Sequence, residues 1–438
     1  MTDDEVLLDE IERNAFGYFR ETVNPTNGLV PDTSREGSPC SIAVVGFALT
    51  SYVVGVDRGW VARDEAAELI LATLRFFRDS DQTGTSNATG YKGFYYHFLD
   101  MHSGLRAWRS ELSIIDTTLL IAGVLTVREY FDANSSREVE LREIADELYR
   151  RVDWHWSQNG GTTIALGWKP ESGFMHYAWQ GYSEGTALYA LAAGSPTHPI
   201  TGNAYEGWTV TYQWENLYGY DILYAGPLFI YQFSQAWLDM RGIRDLFMRD
   251  KRSDYFKNAR CAVLVQREYA RRNPLGFVGY ADNCWGLTAC DGPENDAAGE
   301  APCDTFFGYA ARGVPYGPDD GTIAGWAPLG SLPFAPEAVL AATRTMYQRY
   351  PEMHPDGRYA SSFNPGLVGA DGKYWVSAGH YGLDQGIVLL MIENYRSGLI
   401  WRLTRNCNYI VDGLRSIGFR DGWLSRSQSQ EAEIDAER

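Results

Sequence analysis

The side chains in this sequence best placed to do chemistry are carboxylates set among aromatic and glycine residues. In Tyr177-Ala178-Trp179-Gln180-Gly181-Tyr182-Ser183-Glu184-Gly185, Glu184 stands at the expected opening of a helix, behind Trp179 and Tyr182. A carboxyl beside aromatic faces loses hydration, its pKa rises, and it can donate a proton near neutrality, which is the profile of a general acid. A helix N-terminus pulls the other way, so the alternative is a plain end-of-helix charge.

A second cluster, Trp108-Arg109-Ser110-Glu111-Leu112-Ser113-Ile114-Ile115-Asp116-Thr117, places Glu111 in the first turn of a predicted helix and Asp116 five residues on. Five residues turn a helix by about 140°, so the two acids face different ways and need not act together. Glu111 is the stronger candidate for a reactive group. Asp116, among Ile114, Ile115, Leu119 and Leu120, reads either as a supporting acid or as a buried Asp bonded to a neighbouring helix end. A third stretch, Tyr280 to Pro293, offers Asp282, Trp285 and Asp291 for hydroxyl hydrogen bonds and a stacking face, or for organising turns. A fourth, Ser377 to Gly386, brings His380 and Asp384 to another helix start.

Other chemistries find no support. The sequence has no GxxxxGK[ST] phosphate loop, no HExxH zinc helix and no GxSxG nucleophile elbow, and its seven His are scattered without ligand-like spacing. No metal and no cofactor are expected. Cys284, Cys290 and Cys303 fall close together in one Gly/Pro/Asp-rich stretch, as free thiols or as a loop-pinning disulfide in an oxidising compartment.

The elements that must position these groups are helical. Apolar residues recur at threes and fours over Val6–Phe19, Ser41–Val54, Asp64–Arg78, Glu111–Phe131, Val139–Trp156, Ser183–Ala193, Tyr220–Met240, Asp254–Arg272, Pro336–Arg349, Leu383–Ser397 and Asn406–Leu414. Short alternating runs, Thr209–Tyr212 and Lys373–Val376, are the few strand candidates. Long Gly-, Pro- and aromatic-rich stretches alternate with the helices, which predicts a decorated rim on one all-α domain over residues 1–425, followed by a charged tail at 426–438.

Aromatic residues make up 14% of the chain, with 14 Trp and 28 Tyr, and suit a concave surface that receives sugar rings as well as they suit a large core. The 38 Lys and Arg against 56 Asp and Glu leave a net charge of −18, which repels phosphate backbones and anionic lipid. Neither nucleic acid nor a membrane is an expected partner. The start Met1-Thr2-Asp3-Asp4-Glu5 has no basic or apolar leader, so the chain as written is expected in the cytoplasm, or in the periplasm or outside the cell if a signal has been removed.

Taken in order, Gly28-Leu29-Val30-Pro31-Asp32, Pro39 to Phe47, Ser110-Glu111-Leu112-Ser113-Ile114-Ile115-Asp116-Thr117, Tyr182-Ser183-Glu184, Gly194 to Pro199, Ala281 to Leu287 and Ser377 to Ile392 make the chain resemble the glycoamylase-like family nearly end to end. That family contains the glycoside hydrolase family 144 endo-β-1,2-glucanases and is related to the transglycosylation domain of cyclic β-1,2-glucan synthases. The resemblance implies an (α/α)6 barrel and hydrolysis of a β-glucan, with β-1,2-glucan or its oligosaccharides as substrate. It also implies catalytic acids at Glu184 and within Glu111 to Asp116. On this reading Glu184 is the acid, Glu111 the base or its relay partner, and Asp116 a support. Trp179, Tyr182, Trp208, Asp282, Trp285, Asp291, His380 and Asp384 are then expected at the sugar subsites. The sequence departs from the family pattern at Tyr231 and Gln235, where His is expected, and at Ser183, where Asn is common. The alternatives are a transglycosylase or exo-acting β-glucosidase on the same fold, and a glucan-binding protein that does not cleave.

Overall fold

The computed structural model describes residues 2–201, 203–294 and 306–425. Helices predominate, and strands are short pieces of two to six residues. The first half carries α1 (Asp3–Thr22), α2 (Ile42–Asp57), α3 (Arg63–Asp79), α4 (Ile114–Tyr130), α5 (Ser136–Arg151) and α6 (Thr186–Ala193). There follow α7 (Ala204–Thr209), α8 (Phe229–Trp237), α9 (Leu246–Asp250), α10 (Tyr255–Arg272), α11 (Pro336–Arg349), α12 (Gly382–Arg396), α13 (Leu399–Asn406) and α14 (Asn408–Ser416).

Two kinds of helix explain the layering. In α2, the run from Ile42 to Gly55 is buried throughout, and α4 is buried almost all round from Ile114 to Val127; a helix apolar on every side belongs inside. By contrast α1 buries one stripe, Leu8, Ile11, Ala15, Phe16 and Phe19, and begins with a capping box in which Thr2 and Glu5 satisfy each other's backbone N–H. The inner helices contact one another in a cycle: α2 on α4, α4 on α6, α6 on α8, α8 on α12, and α12 back on α2. Outside them, α1 lies against α12 and α2, α3 against α5, α14 against α6 and α10 against α8. The α2–α4 pair approaches so closely that a Cβ on Gly46 would lie 2.2 Å from the Leu119 carbonyl oxygen, and one on Gly123 would lie 2.2 Å from that of Gly46. Only glycine admits that approach.

A small five-stranded antiparallel sheet matters more for the site than its size suggests. Leu112–Ser113 pairs with Phe94–Tyr96, with Tyr95 opposite Ser113 and Tyr96 opposite Leu112. The register carries on for one residue, so that the His97 N–H donates to the Glu111 carbonyl oxygen at 2.9 Å.

Several expected elements are corrected. The predicted helix over Glu111–Phe131 begins only at Ile114, because Leu112 and Ser113 join the sheet and Ser113 is the N-cap. Tyr220–Met240 divides into a strand, Tyr220–Leu223, and α8. Thr209–Tyr212 forms no strand, since Thr209 ends α7. Asn406–Leu414 falls on two helices, α13 and α14, which meet at Cys407. Tyr374–Val376 does pair as a strand, with Phe363–Val368.

Among the described residues no helix is long and apolar enough to cross a membrane. Cys284 and Cys290 are buried free thiols. Cys303 and the tail at 426–438 lie outside the described residues.

Candidate active site

The N-terminal ends of three inner helices meet at one cavity of about 770 Å³. Asp116 sits in the first turn of α4, Asp384 in the first turn of α12, and Glu184 just ahead of α6. All three line the cavity, together with Asp32, Asp291, Glu294, His97 and the aromatic walls Phe229, Phe233 and Trp326. That volume is ordinary for a site that encloses part of a ligand.

Each acid is held by its own local device. The Ser113 hydroxyl caps α4 by accepting from the Asp116 N–H at 3.2 Å, and donates to Asp116 Oδ2 at 2.5 Å, which fixes the carboxylate against its own helix end. Ser234 of α8 accepts from the Ala187 N–H at 2.9 Å and donates to the Glu184 carbonyl oxygen, so two neighbouring inner helices together set where Glu184 stands. Asp291 pairs with Arg35 and accepts from Ser377 Oγ at 2.9 Å. Asp384 is 6% exposed, and its Oδ2 is buried without a hydrogen-bond partner in the protein.

His97 organises the second acid cluster. Its Nδ1 lies 2.9 Å from Glu111 Oε1, and its Nε2 lies 3.5 Å from Asp116 Oδ2. Burial disfavours the imidazolium, but Asp116, the hydrogen bond to Glu111 and the nearby Asp32 outweigh it and lift the His97 pKa to about 9. His97 therefore carries a proton at neutral pH. Its hydrogen bond holds Glu111 below the usual glutamate range, as an anion. The three side chains present ligand atoms within 4.8 Å of one another, a spacing a divalent cation would accept. A protonated His97 places one positive charge between the two acids.

Glu184 has the opposite tendency. Burial, and secondarily the charge of Asp116, raises its pKa to about 7. Burial thus prevails over the helix end that would have lowered it. Asp32 is pushed up to about 6, first by burial, and Asp384 well above the carboxylate range by burial and by the neighbouring Asp32 and Asp291. Three carboxyls of the cavity wall are thus pushed toward the protonated form, while Glu111, behind His97, is held ionised.

Of the residues picked out in the sequence, Glu184, Asp116, Asp291 and Asp384 reach the cavity wall. Glu111 stands behind His97, and the helical angle expected between Glu111 and Asp116 does not apply, because Glu111 precedes a strand and the imidazole joins the two acids. The expected stacking platforms are corrected. Trp208 and Trp285 are each 0% exposed, and Trp208 lies stacked on Tyr189 within the core. Tyr182 packs among Tyr212, Tyr231 and Tyr255. Trp179 is partly buried against the core, with its carbonyl oxygen accepting from the Tyr189 hydroxyl at 3.2 Å. Asp282 forms an ion pair with Arg267 on α10 at 2.5 Å. His380 lies behind the wall, its Nδ1 3.1 Å from the Tyr359 carbonyl oxygen. None of these six side chains lines the cavity. Tyr231 and Gln235, which depart from the family pattern, are core residues of α8; Gln235 Nε2 donates to the carbonyl oxygens of Tyr231 and Tyr255.

Asp32 and His97 escaped the reading of the sequence. Asp32 follows a Gly-Leu-Val-Pro turn, and His97 ends the aromatic run Tyr95-Tyr96. An acid after a turn and a histidine ending a strand are the only local signals, and neither is specific.

The Glycoamylase family model matches residues 176–408, more than half of the chain, including Glu184, Asp291 and Asp384. The chain belongs to the glycoamylase family. An exo-β-1,2-glucooligosaccharide sophorohydrolase of Parabacteroides distasonis is 27% identical over 94% of this chain, which spans 58% of that curated relative's length. Among solved structures, an endo-β-1,2-glucanase from Chitinophaga pinensis superposes with a TM-score of 0.84 at 27% identity, over 96% of this chain and 99% of its own. A β-1,2-glucanase from Parabacteroides distasonis gives 0.84 at 25%, over 95% and 60%. An endo-β-1,2-glucanase from Talaromyces funiculosus, 13% identical with a TM-score of 0.64 over 92% of this chain and 85% of its own, shares the fold alone.

Proposed function

We propose that this protein hydrolyses β-1,2-glucan, cutting within the chain and releasing short β-1,2-glucooligosaccharides. The observation that carries the reading is a carboxyl on the cavity wall whose proton is held up to about neutrality, Glu184, beside Asp116 and His97 on the same wall, with Glu111 held as an anion behind His97. Glycoside hydrolysis needs both kinds. Glu184 protonates the departing glycosidic oxygen as the bond from the anomeric carbon to that oxygen breaks. A water adds to the same carbon and gives up its proton to the acid cluster. Asp116 faces the cavity in that cluster, and Glu111 acts through His97 as the relay partner behind it.

The named activities of the relatives from Chitinophaga pinensis and Parabacteroides distasonis support β-1,2 linkage. The closed cycle of five inner helices, with the short turn Leu329–Ser331 packed between α8 and α12 at a sixth position, supports a barrel of the (α/α)6 kind, and α1 docked on α12 supports a single catalytic domain over residues 1–425. A second reading, exo release of a disaccharide, is favoured by the sophorohydrolase relative.

The test is to incubate the protein with linear β-1,2-, β-1,3- and β-1,4-glucans and follow product sizes with time, beside a Glu184→Gln control. A broad early ladder from β-1,2-glucan alone, absent in the control, is the expected result. A single small product from the start establishes the exo reading, longer chains a transglycosylase, and binding without any product a non-catalytic glucan-binding protein.

A further inference from the structure

A second groove of about 730 Å³ adjoins the cavity, and the two share Thr33, Arg35, Gly37, Ser38 and Trp108 as a common wall. The groove is also lined by Asn24, Thr26, Asp100 and His102; Asn24 and Asp100 Oδ1 are tied to neighbouring backbone, and the Thr26 hydroxyl, Asp100 Oδ2 and the His102 ring are groups of the kind that meet hydroxyls. The residue that stands out is Trp108. It is 69% exposed, the most of any tryptophan among the exposed large hydrophobics.

The chain goes to some length to hold Trp108 there. Trp108 and Arg109 have φ of 54° and 52°, the one adjacent pair of non-glycine residues in the left-handed region among the described residues. Such backbone costs free energy and persists only where its surroundings enforce it. The enforcement is visible. The Arg106 side chain is 1% exposed, donates from Nε to the Ser110 carbonyl oxygen at 2.6 Å and from Nη2 to that of Arg109 at 2.9 Å, and pairs with Glu171 at 2.7 Å. It lies over the Tyr96 ring at 4.6 Å. A buried, fully engaged arginine thus clamps a strained turn whose product is one exposed indole.

That indole continues an aromatic column out of the site. His97 stacks on Phe98 with centroids 3.9 Å apart, and Phe98 meets Trp108 at 5.0 Å. We infer that Trp108 is a sugar-stacking platform at the crossing from the cavity into the second groove, and that the groove holds further glucose units of the same β-1,2-glucan chain whose scissile bond lies in the cavity. This rests on the proposed β-glucan hydrolysis. It assigns Trp108 to substrate binding and makes the protein favour long chains.

The experiment compares Trp108→Ala with wild type on long linear β-1,2-glucan and on the shortest β-1,2-oligosaccharide that wild type cleaves. The expected result is a rise in KM on long glucan of about three- to tenfold, the weight of one aromatic contact, with kcat unchanged. Parameters on the short substrate stay within about twofold, and Trp108→Phe recovers most of the loss. Equal losses on both substrates, or none on the long one, overturn the inference. If wild type cleaves neither substrate, it is the hydrolase reading that fails. Retardation of the protein by β-1,2-glucan in a native gel, lost in Trp108→Ala, then still supports the platform, and unchanged mobility overturns it.

Discussion

His97 meets Glu111 twice, through its backbone N–H on the Glu111 carbonyl oxygen and through Nδ1 on Glu111 Oε1, both at 2.9 Å. The double contact follows from the register of a small sheet, so the acid cluster is fixed by backbone pairing before any side chain chooses a rotamer. What His97 adds is charge. With Asp32, Glu111 and Asp116 close by, a neutral residue in its place would remove the positive charge that lies between Glu111 and Asp116.

Glu184→Gln removes the proposed proton donor while keeping shape. Turnover on β-1,2-glucan is expected to fall by about 10²–10⁴ with the circular dichroism spectrum unchanged. In the wild type, activity should fall as pH rises past about 7, where Glu184 loses its proton.

The same carboxyl sets a stability profile. The folded-state pKa of Glu184 is raised from 4.5 to about 7, so the folded protein holds this proton more tightly than the unfolded chain does. Its favourable contribution is fully present below pH 4.5 and is lost as pH rises through about 7. Urea unfolding at pH 4.5 and pH 8 should show Glu184→Gln gaining on wild type at the higher pH.

His97→Gln tests a window of the same sign at higher pH. The imidazole is raised from 6.5 to about 9, so its stabilisation is complete below pH 6.5 and disappears as pH rises through about 9. The variant should melt below wild type at pH 6 and approach it at pH 10, by differential scanning calorimetry.

Gly46→Ala places a methyl 2.2 Å from a backbone oxygen of the facing helix. Parting α2 from α4 is expected to cost about 1–3 kcal/mol, the range for overpacked cores, read as a lower urea midpoint.

Trp208→Ala should cost about 3–5 kcal/mol because it empties a buried site, whereas Trp108→Ala should leave the unfolding free energy, read from urea titration, within about 0.5 kcal/mol of wild type. A substrate-site role for Trp208 would instead predict lost affinity with stability intact.

The helical layer was legible because its signal is periodic: α1, α3, α10 and α11 begin and end near where apolar spacing places them. Glu184, Asp291 and Asp384 were legible as acids at helix entries and turns, whereas Asp116 read as an acid further inside a helix because the helix start was placed too early. The aromatic residues were not, since Trp208, Trp285 and Trp108 all lie in Gly- and Asp-rich or charged surroundings in sequence, and only the fold separates core from surface. Nor could a sequence reveal that Leu112 and Ser113 join a sheet, because two-residue strands have no periodicity. That one pairing turns Glu111 from a helix-start charge into the partner of His97.

The Asp32 carbonyl oxygen accepts from the Gly382 N–H at 2.8 Å, which ties the segment that supplies one cavity acid to the entrance of the helix that supplies another. These partners come from opposite ends of the chain, as do α1 and α12, which pack together. Contacts so distant in sequence close slowly, after their loop entropy has been overcome. On the ribosome, therefore, the cavity stays open on one side until the last long helix has emerged. The acidic, partly desolvated centre is completed only once enough surrounding structure exists to hold it.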